Sequence, residues 1–146
     1  MQLAIGSDHA GLELKAELVS HLRSLGHDVV DHGTHDSASI DYPDYAEKVA
    51  SSVAKGDSEL GFLVCGSGQG MCMAANKIRG VRAAVCSDTF SAHAVREHNN
   101  ANVLCLGQRV VGSGLALEIA ETFLKAEFEG GRHARRVGKI MDLEGR

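Results

Sequence analysis

The stretch LGFLVCGSGQG, residues 60–70, decides the fold, because an apolar run ends directly in alternating glycines. Its first six residues are apolar or small without polar alternation, which is typical of a strand buried on both faces of a parallel sheet. The glycines that follow allow a tight turn and a close approach of backbone to ligand. The stretch therefore predicts a central strand that ends at Cys65 and opens into a ligand-binding loop.

Short apolar runs and helix-period segments alternate along the rest of the chain. Predicted strands cover residues 3–5, 28–31, 60–65, 81–86 and 102–106, with no hairpin signal between them. Gly26 ends the first helix, Pro43 begins the second, and Ser87-Asp88 caps a later one. This alternation predicts a Rossmann-like three-layer α/β/α sandwich with a five-stranded parallel sheet. We expect a single domain over residues 1–146, with a C-terminal helical extension after Gly130-Gly131.

Composition restricts the class of protein. The chain has 146 residues, of which 44% are hydrophobic, and a formal net charge of −4. A domain of this length buries roughly 70% of the surface that its unfolded chain exposes, so it can form a stable core without disulfides or structural metal ions. The acidic balance disfavours nucleic acid and anionic membranes as partners, and no apolar run approaches the ~20 residues that span a bilayer. The four cysteines form no C-x-x-C pair, and no leader precedes the first strand, so we expect a reduced protein in the cytoplasm.

The glycine loop fits an oxyanion or phosphate cradle better than three familiar alternatives. Met71 stands where a dinucleotide fingerprint needs its last glycine and where a cysteine phosphatase needs an arginine. A Walker loop is excluded because no Gly-Lys-Ser/Thr follows. Cys65 lies at the mouth of this loop, beside a predicted helix N-terminus, where a thiol ionises readily. We therefore favour a functional Cys65 and interpret Cys72, Cys86 and Cys105 as small buried hydrophobes.

Other polar groups have both a functional and a purely structural interpretation. Asp8-His9 follows the first strand, and Asp8 is equally well explained as a helix N-cap. His98 is a candidate proton shuttle, or a helix C-terminal cation followed by an Asn cap. Arg132 and Arg136 share one helical face that suits a phosphate, yet the segment also fits a solvated basic helix end.

A metal site is disfavoured. His27, His32 and His35 lie in or near one loop, but scattered loop histidines rarely bind metal.

Several motifs, in order and nearly end to end, resemble the type B ribose-5-phosphate isomerases, whose wider family includes galactose-6-phosphate and allose-6-phosphate isomerases. They are Ser7-Asp8-His9-Ala10-Gly11, Asp41-Tyr42-Pro43, Cys65-Gly66-Ser67-Gly68, Ala74-Ala75-Asn76-Lys77, His98-Asn99, Gly107-Gln108-Arg109-Val110-Val111-Gly112 and Glu129-Gly130-Gly131-Arg132-His133.

The resemblance implies an aldose–ketose isomerase of the pentose phosphate pathway that interconverts D-ribose 5-phosphate and D-ribulose 5-phosphate. It also implies a homodimer or homotetramer with active sites shared between subunits, and neither a metal nor a cofactor. Cys65 would move the proton between C1 and C2, and His98 would open the sugar ring with Asp8 nearby; Ser67 completes the implied catalytic set. The implied substrate contacts are Asp8, His9, Gly66, Ser67, Gly68, Gln69, Gly70, Asn99, Arg109, Arg132 and Arg136, some of them from the neighbouring chain.

Two positions depart from the family pattern. Ser67 replaces a common threonine and keeps its hydroxyl, whereas Gln69 stands where a small apolar residue is frequent, with Cys72 just beyond. A longer side chain at position 69 can alter which sugar fits. Isomerases of allose 6-phosphate, galactose 6-phosphate or a tetrose phosphate, and a non-catalytic phosphate-ligand sensor on the same fold, therefore stay open as alternatives.

Overall fold

The buried strand at residues 60–65 lies at the centre of a parallel sheet. A computed structural model describes residues 1–145, and within them the chain forms five strands and six α-helices. The elements are β1 (Gln2–Ser7), α1 (Leu12–Ser24), β2 (Asp28–Asp31), α2 (Tyr42–Ala54), β3 (Leu60–Cys65), α3 (Gln69–Ala75), β4 (Ala83–Val85), α4 (Thr89–Asn99), β5 (Val103–Gly107), α5 (Ser113–Lys125) and α6 (Arg132–Asp142). The strand order is β2-β1-β3-β5-β4 and every pair is parallel, so the predicted α/β sandwich is confirmed. The predicted domain extends one residue, Arg146, beyond the described part of the chain.

Two apolar layers cover the sheet, one on each face. On one face, side chains such as Leu18 of α1 and Phe123 of α5 pack on Phe62 and Leu104 of the central strands. On the other face, the core is built by α2 and α3 with the alternate strand residues, Leu63 and Cys105 among them. Since β3 contributes to both layers, its run of six buried residues is explained.

Local signals in the sequence place the helix ends. Gly26 adopts a φ of +90° directly after α1, and its N–H donates to Arg23 O at 3.0 Å. Pro43 lies in the first turn of α2, and the Asp88 carboxylate accepts from the Ser91 N–H at 2.6 Å as the N-cap of α4. Asn100 ends α4 in the left-handed region, with a φ of +49°. These predicted boundaries are confirmed.

The fourth strand is shorter than predicted. The apolar run at residues 81–86 predicts six residues, but only Ala83–Val85 pair with β5. The Arg82 N–H donates instead to the Asn102 side-chain oxygen at 2.7 Å, and the Val81 N–H to Ile78 O at 3.2 Å. Burial without ladder pairing therefore accounts for part of the apolar pattern. Within residues 1–145, none of the helices has the length and hydropathy needed to cross a bilayer.

Candidate active site

Cys65 ends β3 at the carboxyl edge of the sheet and faces the glycine loop. Its side chain is buried, at 6% exposure, and its Sγ accepts a hydrogen bond from the Gly68 N–H at 3.1 Å. Gly68 turns the backbone with a φ of +81°, which a residue with a Cβ rarely adopts. The loop therefore aims a backbone donor directly at the sulfur.

The remainder of the loop is held by close packing and by its own side chains. The Ser67 hydroxyl is exposed and accepts from the Gln69 N–H at 3.3 Å. Gln69 begins α3 with its side chain in solvent. A Cβ on Gly70 would lie 2.7 Å from the ring of Tyr42, so this ring is in contact with the loop. Tyr42 thus lines the candidate site. It is part of one of the quoted sequence motifs, but the sequence did not lead us to predict it as a site residue.

The turn after β5 supports the loop from behind and supplies one cation. The Gln108 and Arg109 N–H groups donate to Cys65 O at 2.9 Å and to Gly66 O at 3.0 Å. A Cβ on Gly66 would lie 3.2 Å from Nη1 of Arg109, so this guanidinium lies over the loop. Arg109 is exposed and able to meet an anionic ligand there.

Asp8 and His9 follow β1, the strand beside β3. Asp8 is buried at 7% exposure, its N–H donates to Val64 O at 3.2 Å, and its Oδ1 accepts from the Ala10 and Gly11 N–H groups at 2.9 and 3.1 Å. The N-cap interpretation is therefore confirmed, and the same residue borders the end of β3. The His9 Nδ1 accepts from the Ile40 N–H at 3.3 Å, which orients the ring at this edge.

His98 lies at the opposite edge of the sheet. It belongs to the last turn of α4, which leads into the amino end of β5. At that end the Asn102 carbonyl accepts from the Gly61 N–H at the start of β3, which marks the amino edge of the sheet. Within one chain Asp8 follows the carboxyl end of β1 and His98 lies at the amino edge, so the expected proximity of the two stays a prediction that concerns a site shared between subunits. Asn99 is exposed beside His98. The topology predicts this separation, since a helix that leads into a parallel strand ends at the amino edge.

Arg132 and Arg136 open α6 and lie one turn apart on its exposed surface. Their helical spacing is as predicted. Since α6 packs against α4, these arginines belong to the His98 side of the chain and not to the Cys65 loop. One chain therefore presents two halves: a thiol loop with Arg109, and a histidine with two arginines.

A cluster beside α6 was not predicted. The rings of His98 and His133 stack with centroids 4.4 Å apart and an interplanar angle of 16°. Oε2 of Glu129 lies 3.9 Å from His98 Nε2 and 3.4 Å from His133 Nε2. The four-residue spacing of Glu129 and His133 is visible in the sequence. The glycine pair at 130–131 indicates a turn between them, however, so the sequence does not predict that both residues contact α4.

The other three cysteines form a group with unequal acidity. The neighbouring Cys105 thiol and the Asn76 side chain, whose Nδ2 donates to Cys72 Sγ at 3.5 Å, lower the pKa of Cys72 to about 7. Burial and the Asp88 charge raise the pKa of Cys86 to about 11, and the same Cys72 contact raises that of the buried Cys105. Cys86 and Cys105 match their predicted core role, whereas Cys72 is half-buried on α3.

Comparison with known proteins identifies the family. A model of the ribose/galactose isomerases matches residues 3–140. The chain belongs to the ribose/galactose isomerase family. It is 49% identical to "Ribose-5-phosphate isomerase B" of Escherichia coli K12 over 145 residues, which cover 99% of this chain and 97% of the relative. It is 44% identical to "D-erythrulose-4-phosphate isomerase" of Pectobacterium atrosepticum over 141 residues, covering 96% and 93%.

The solved structures agree with this assignment. The ribose-5-phosphate isomerase B of Mycoplasma genitalium with bound ribulose-5-phosphate superposes with a TM-score of 0.95 at 48% identity, covering 99% of this chain and 97% of that one. The family resemblance of the sequence motifs is therefore confirmed, and the ribose/galactose isomerase fold is that of this chain.

Proposed function

We propose that this protein is an aldose–ketose isomerase that interconverts D-ribose 5-phosphate and D-ribulose 5-phosphate through an enediolate. The observation that carries the proposal is the Cys65 sulfur, which meets a backbone donor 3.1 Å away at the ligand-binding edge of a parallel sheet. The activity named for the Escherichia coli relative and the sugar phosphate bound to the Mycoplasma protein support the same substrate. The reaction belongs to the pentose phosphate pathway.

Cys65 acts as the base. Its thiolate takes the proton from C2 of the open-chain aldose, which gives the enediolate, and returns it to C1; the hydroxyl proton of O2 passes to O1, so that C2 becomes the carbonyl and C1 carries the hydroxyl. The Gly68 N–H donates a hydrogen bond to the Cys65 sulfur over 3.1 Å and so fixes the sulfur at the mouth of the loop. The Gly68 and Gln69 N–H groups already donate to Cys65 Sγ and Ser67 Oγ, so the other backbone N–H groups of the Gly66–Gly70 loop and the Ser67 hydroxyl hold the enediolate oxygen. One such oxyanion donor contributes about 3 kcal/mol to the transition state.

His98 acts as the acid that opens the sugar ring. Ribose 5-phosphate is mostly cyclic, so a proton must reach the ring oxygen before C2 becomes acidic. Because His98 lies at the amino edge of its own sheet, the His98 that serves a given Cys65 comes from a neighbouring chain, and Asp8 meets the substrate beside Cys65.

Arginines hold the phosphate. Arg132 and Arg136 present two guanidinium forks on one exposed face of α6, which matches the oxygens of a phosphate. They reach the substrate together with His98 and Asn99 of the same chain. His9 and Arg109 belong to the thiol half and contact the sugar from there. Tethering the phosphate in this way fixes C1 and C2 near the sulfur.

A homodimer across the β4 edge would bring the two halves together. β4 is an edge strand of three half-exposed residues, and its flanking helices expose Met73 at 67% and Phe90 at 80%. Beside it, Ile140 and Leu143 help to line a cavity of about 810 Å³. A two-fold axis perpendicular to β4 would set the carboxyl edge of one sheet against the amino edge of the other. This apolar edge supports an obligate dimer, and paired dimers would form a tetramer.

The first test removes the base. Cys65→Ala is expected to lower kcat for ribose 5-phosphate by about 10²–10⁴-fold, which is the contribution of general base catalysis, and to leave KM within a few fold. Cys86→Ala is the matched control, because it removes a buried thiol of high pKa outside the site. Unchanged turnover in Cys65→Ala would remove the thiol from the mechanism. Tight ligand binding without turnover by the wild type would favour the sensor.

The second test asks whether sites are shared. Cys65→Ala and His98→Asn are each inactive as pure dimers under this proposal. Random assortment of equal amounts gives half of the dimers one of each chain, and each mixed dimer has one intact site, so about one quarter of the wild-type sites return. A mixture that stays inactive after co-refolding, while sedimentation shows mixed dimers, would place both residues in the same chain's site.

Gln69 favours a test of substrate choice. The tetrose phosphate isomerase named for Pectobacterium atrosepticum is also a close relative, so the substrate is to be measured directly. Values of kcat/KM for ribose 5-phosphate, allose 6-phosphate, galactose 6-phosphate and erythrulose 4-phosphate, with wild type and Gln69→Ala, separate these activities. The proposal requires ribose 5-phosphate to be the best wild-type substrate. Free thiols at all four cysteines suit the reducing cytoplasm that we expect as its location.

A further inference from the structure

Three donor atoms converge at the junction of α4 and α6. They are His98 Nε2, His133 Nε2 and one carboxylate oxygen of Glu129, and within the described residues they all lie within 4.8 Å of one another. Glu129 is fixed to α4 by its own backbone, because its N–H donates to Glu97 O at 3.0 Å. Two imidazoles and one carboxylate form a common ligand set for zinc.

His133 gives an independent indication of a ligand. Its side chain is 6% exposed, and its Nε2 is buried without a hydrogen-bond partner among residues 1–145. Glu129 Oε2 is 3.4 Å away, too far for a good hydrogen bond. A buried ring nitrogen left without a partner is costly unless a proton donor or a metal ion meets it. The orphaned atom is directed into the same cluster that the other two donors form.

We propose that His98, Glu129 and His133 bind a Zn²⁺ ion with an open fourth position. Zinc–ligand bonds of 2.0–2.2 Å in tetrahedral geometry separate the donors by about 3.4 Å. The Glu129–His133 separation of 3.4 Å already meets this value, and the Glu129–His98 separation of 3.9 Å is close to it. An imidazole nitrogen binds a metal in the plane of its ring, so His98 must also turn out of its stack on His133, where the interplanar angle is 16°. The side chains that must move are accessible ones, since His98 is 44% exposed and Glu129 is 55% exposed.

Nearby groups add negative charge to the cluster. Glu97 Oε2 lies 3.6 Å from His98 Nε2 and pairs with His93 at 3.1 Å, so it adds charge beside the ion and leaves the fourth position open. The two carboxylates compensate the divalent charge. Arg132 opens the same helix but is exposed, so its guanidinium is free to lie in solvent.

Zinc at this position would inhibit the isomerase. This consequence rests on the proposed function, in which His98 Nε2 carries the proton for ring opening. A metal ion on that nitrogen occupies the lone pair and prevents protonation. The ion is thus an inhibitor and not a cofactor, because the proposed catalytic steps need only the thiol, the imidazole and backbone donors.

Calorimetric titration of ZnCl₂ into the purified full-length protein at neutral pH tests the site. We expect one Zn²⁺ per chain, with affinity at least about tenfold weaker in Glu129→Gln. Glu127→Gln is the matched control, since Glu127 is an exposed acid on the same segment and its loss changes only the net charge. Cys72→Ser controls for a thiolate site, because Cys72 is the thiol with the lowered pKa. Both controls are expected to bind zinc as the wild type does.

Co²⁺ substitution identifies the ligands even if a variant folds poorly. The wild type is expected to give the visible bands of four-coordinate Co²⁺ without sulfur-to-metal charge transfer in the near ultraviolet, and His133→Gln to lose these bands. Absence of stoichiometric binding, equal affinity in Glu129→Gln and Glu127→Gln, or a charge-transfer band lost in Cys72→Ser would each overturn the proposal. Zinc binding that leaves turnover unchanged would keep the site and would instead remove His98 from its proposed catalytic role.

Discussion

Gly107 tests whether the position of the thiol loop controls the rate. A Cβ at this position would lie 2.7 Å from the backbone carbon of Ser67, whereas ordinary contact begins at 3.4 Å. Gly107→Ala is therefore expected to displace the Ser67 backbone by about 0.7 Å, because backbone atoms cannot rotate away. A misplacement of about 1 Å in an active site lowers the rate on the order of 10²-fold. We expect kcat to fall by about 10–100-fold on the same scale. KM should change little, because under the proposed function the arginines of α6 hold the phosphate.

The displacement also costs stability, which separates a loop shift from unfolding. Overpacking of this kind costs about 1–3 kcal/mol, which for a chain of this size lowers Tm by about 3–10 °C. The assay is kcat and KM for ribose 5-phosphate below the onset of melting, with Tm from circular dichroism. Gly114→Ala is the control, since a Cβ there meets nothing within 4 Å and alanine suits a helix. A Gly107→Ala enzyme that keeps a kcat within about threefold of wild type would refute the link between loop position and rate.

Two further predictions concern charge and thiol chemistry. Cys72 has a pKa of about 7 and Cys86 a pKa of about 11. Labelling of Cys72 by iodoacetamide, measured by mass spectrometry, should therefore rise as pH increases from 6 to 8, while Cys86 stays unlabelled. Equal labelling of the two thiols would contradict the assigned causes of these pKa values. Lys15 is 2% exposed and its Nζ lies 2.8 Å from Asp31, so Lys15→Ala leaves that carboxylate without its cation and should cost about 3 kcal/mol in urea unfolding. Lys55→Ala, on the exposed end of α2, should change stability by less than about 0.5 kcal/mol; equal effects of the two would count against the ion pair.

The sequence predicts the layers of the fold because parallel strands buried on both faces leave unbroken apolar runs. It does not predict the strand order, which depends on long-range packing. The apolar run at residues 81–86 overstates β4, because Val81 is buried without joining the ladder and Arg82 uses a side-chain oxygen of Asn102 instead. The apolar pattern of a sequence therefore indicates which residues are buried, whereas the length of a strand depends on which backbone groups pair with the neighbouring strand.

Cys65 could be predicted because its two signals are local: a strand end and a glycine loop are adjacent in the sequence. The cluster of His98, Glu129 and His133 could not, since α6 meets α4 only after Gly130 and Gly131 turn the chain with φ of +72° and +55°. Tyr42 could not be predicted as a site residue either, because its contact with the loop is also long-range. Its contact with Gly70 joins residues 28 positions apart and leaves no mark on local spacing.

Under the proposed roles of Cys65 and His98, the parallel sheet accounts for the need for a second chain. Cys65 ends a strand, and His98 ends a helix that leads into the next strand, so the two lie at opposite edges. β5 has five residues, which at ~3.3 Å per residue separates the edges by about 16 Å. The strands β3 and β5 that lie between are apolar and buried, so they offer no side chain that could pass a proton across that distance. Under the proposed roles, isomerase activity is therefore a property of the dimer, and a monomer in which the β4 edge is disrupted would retain the fold and the thiol loop but lose turnover.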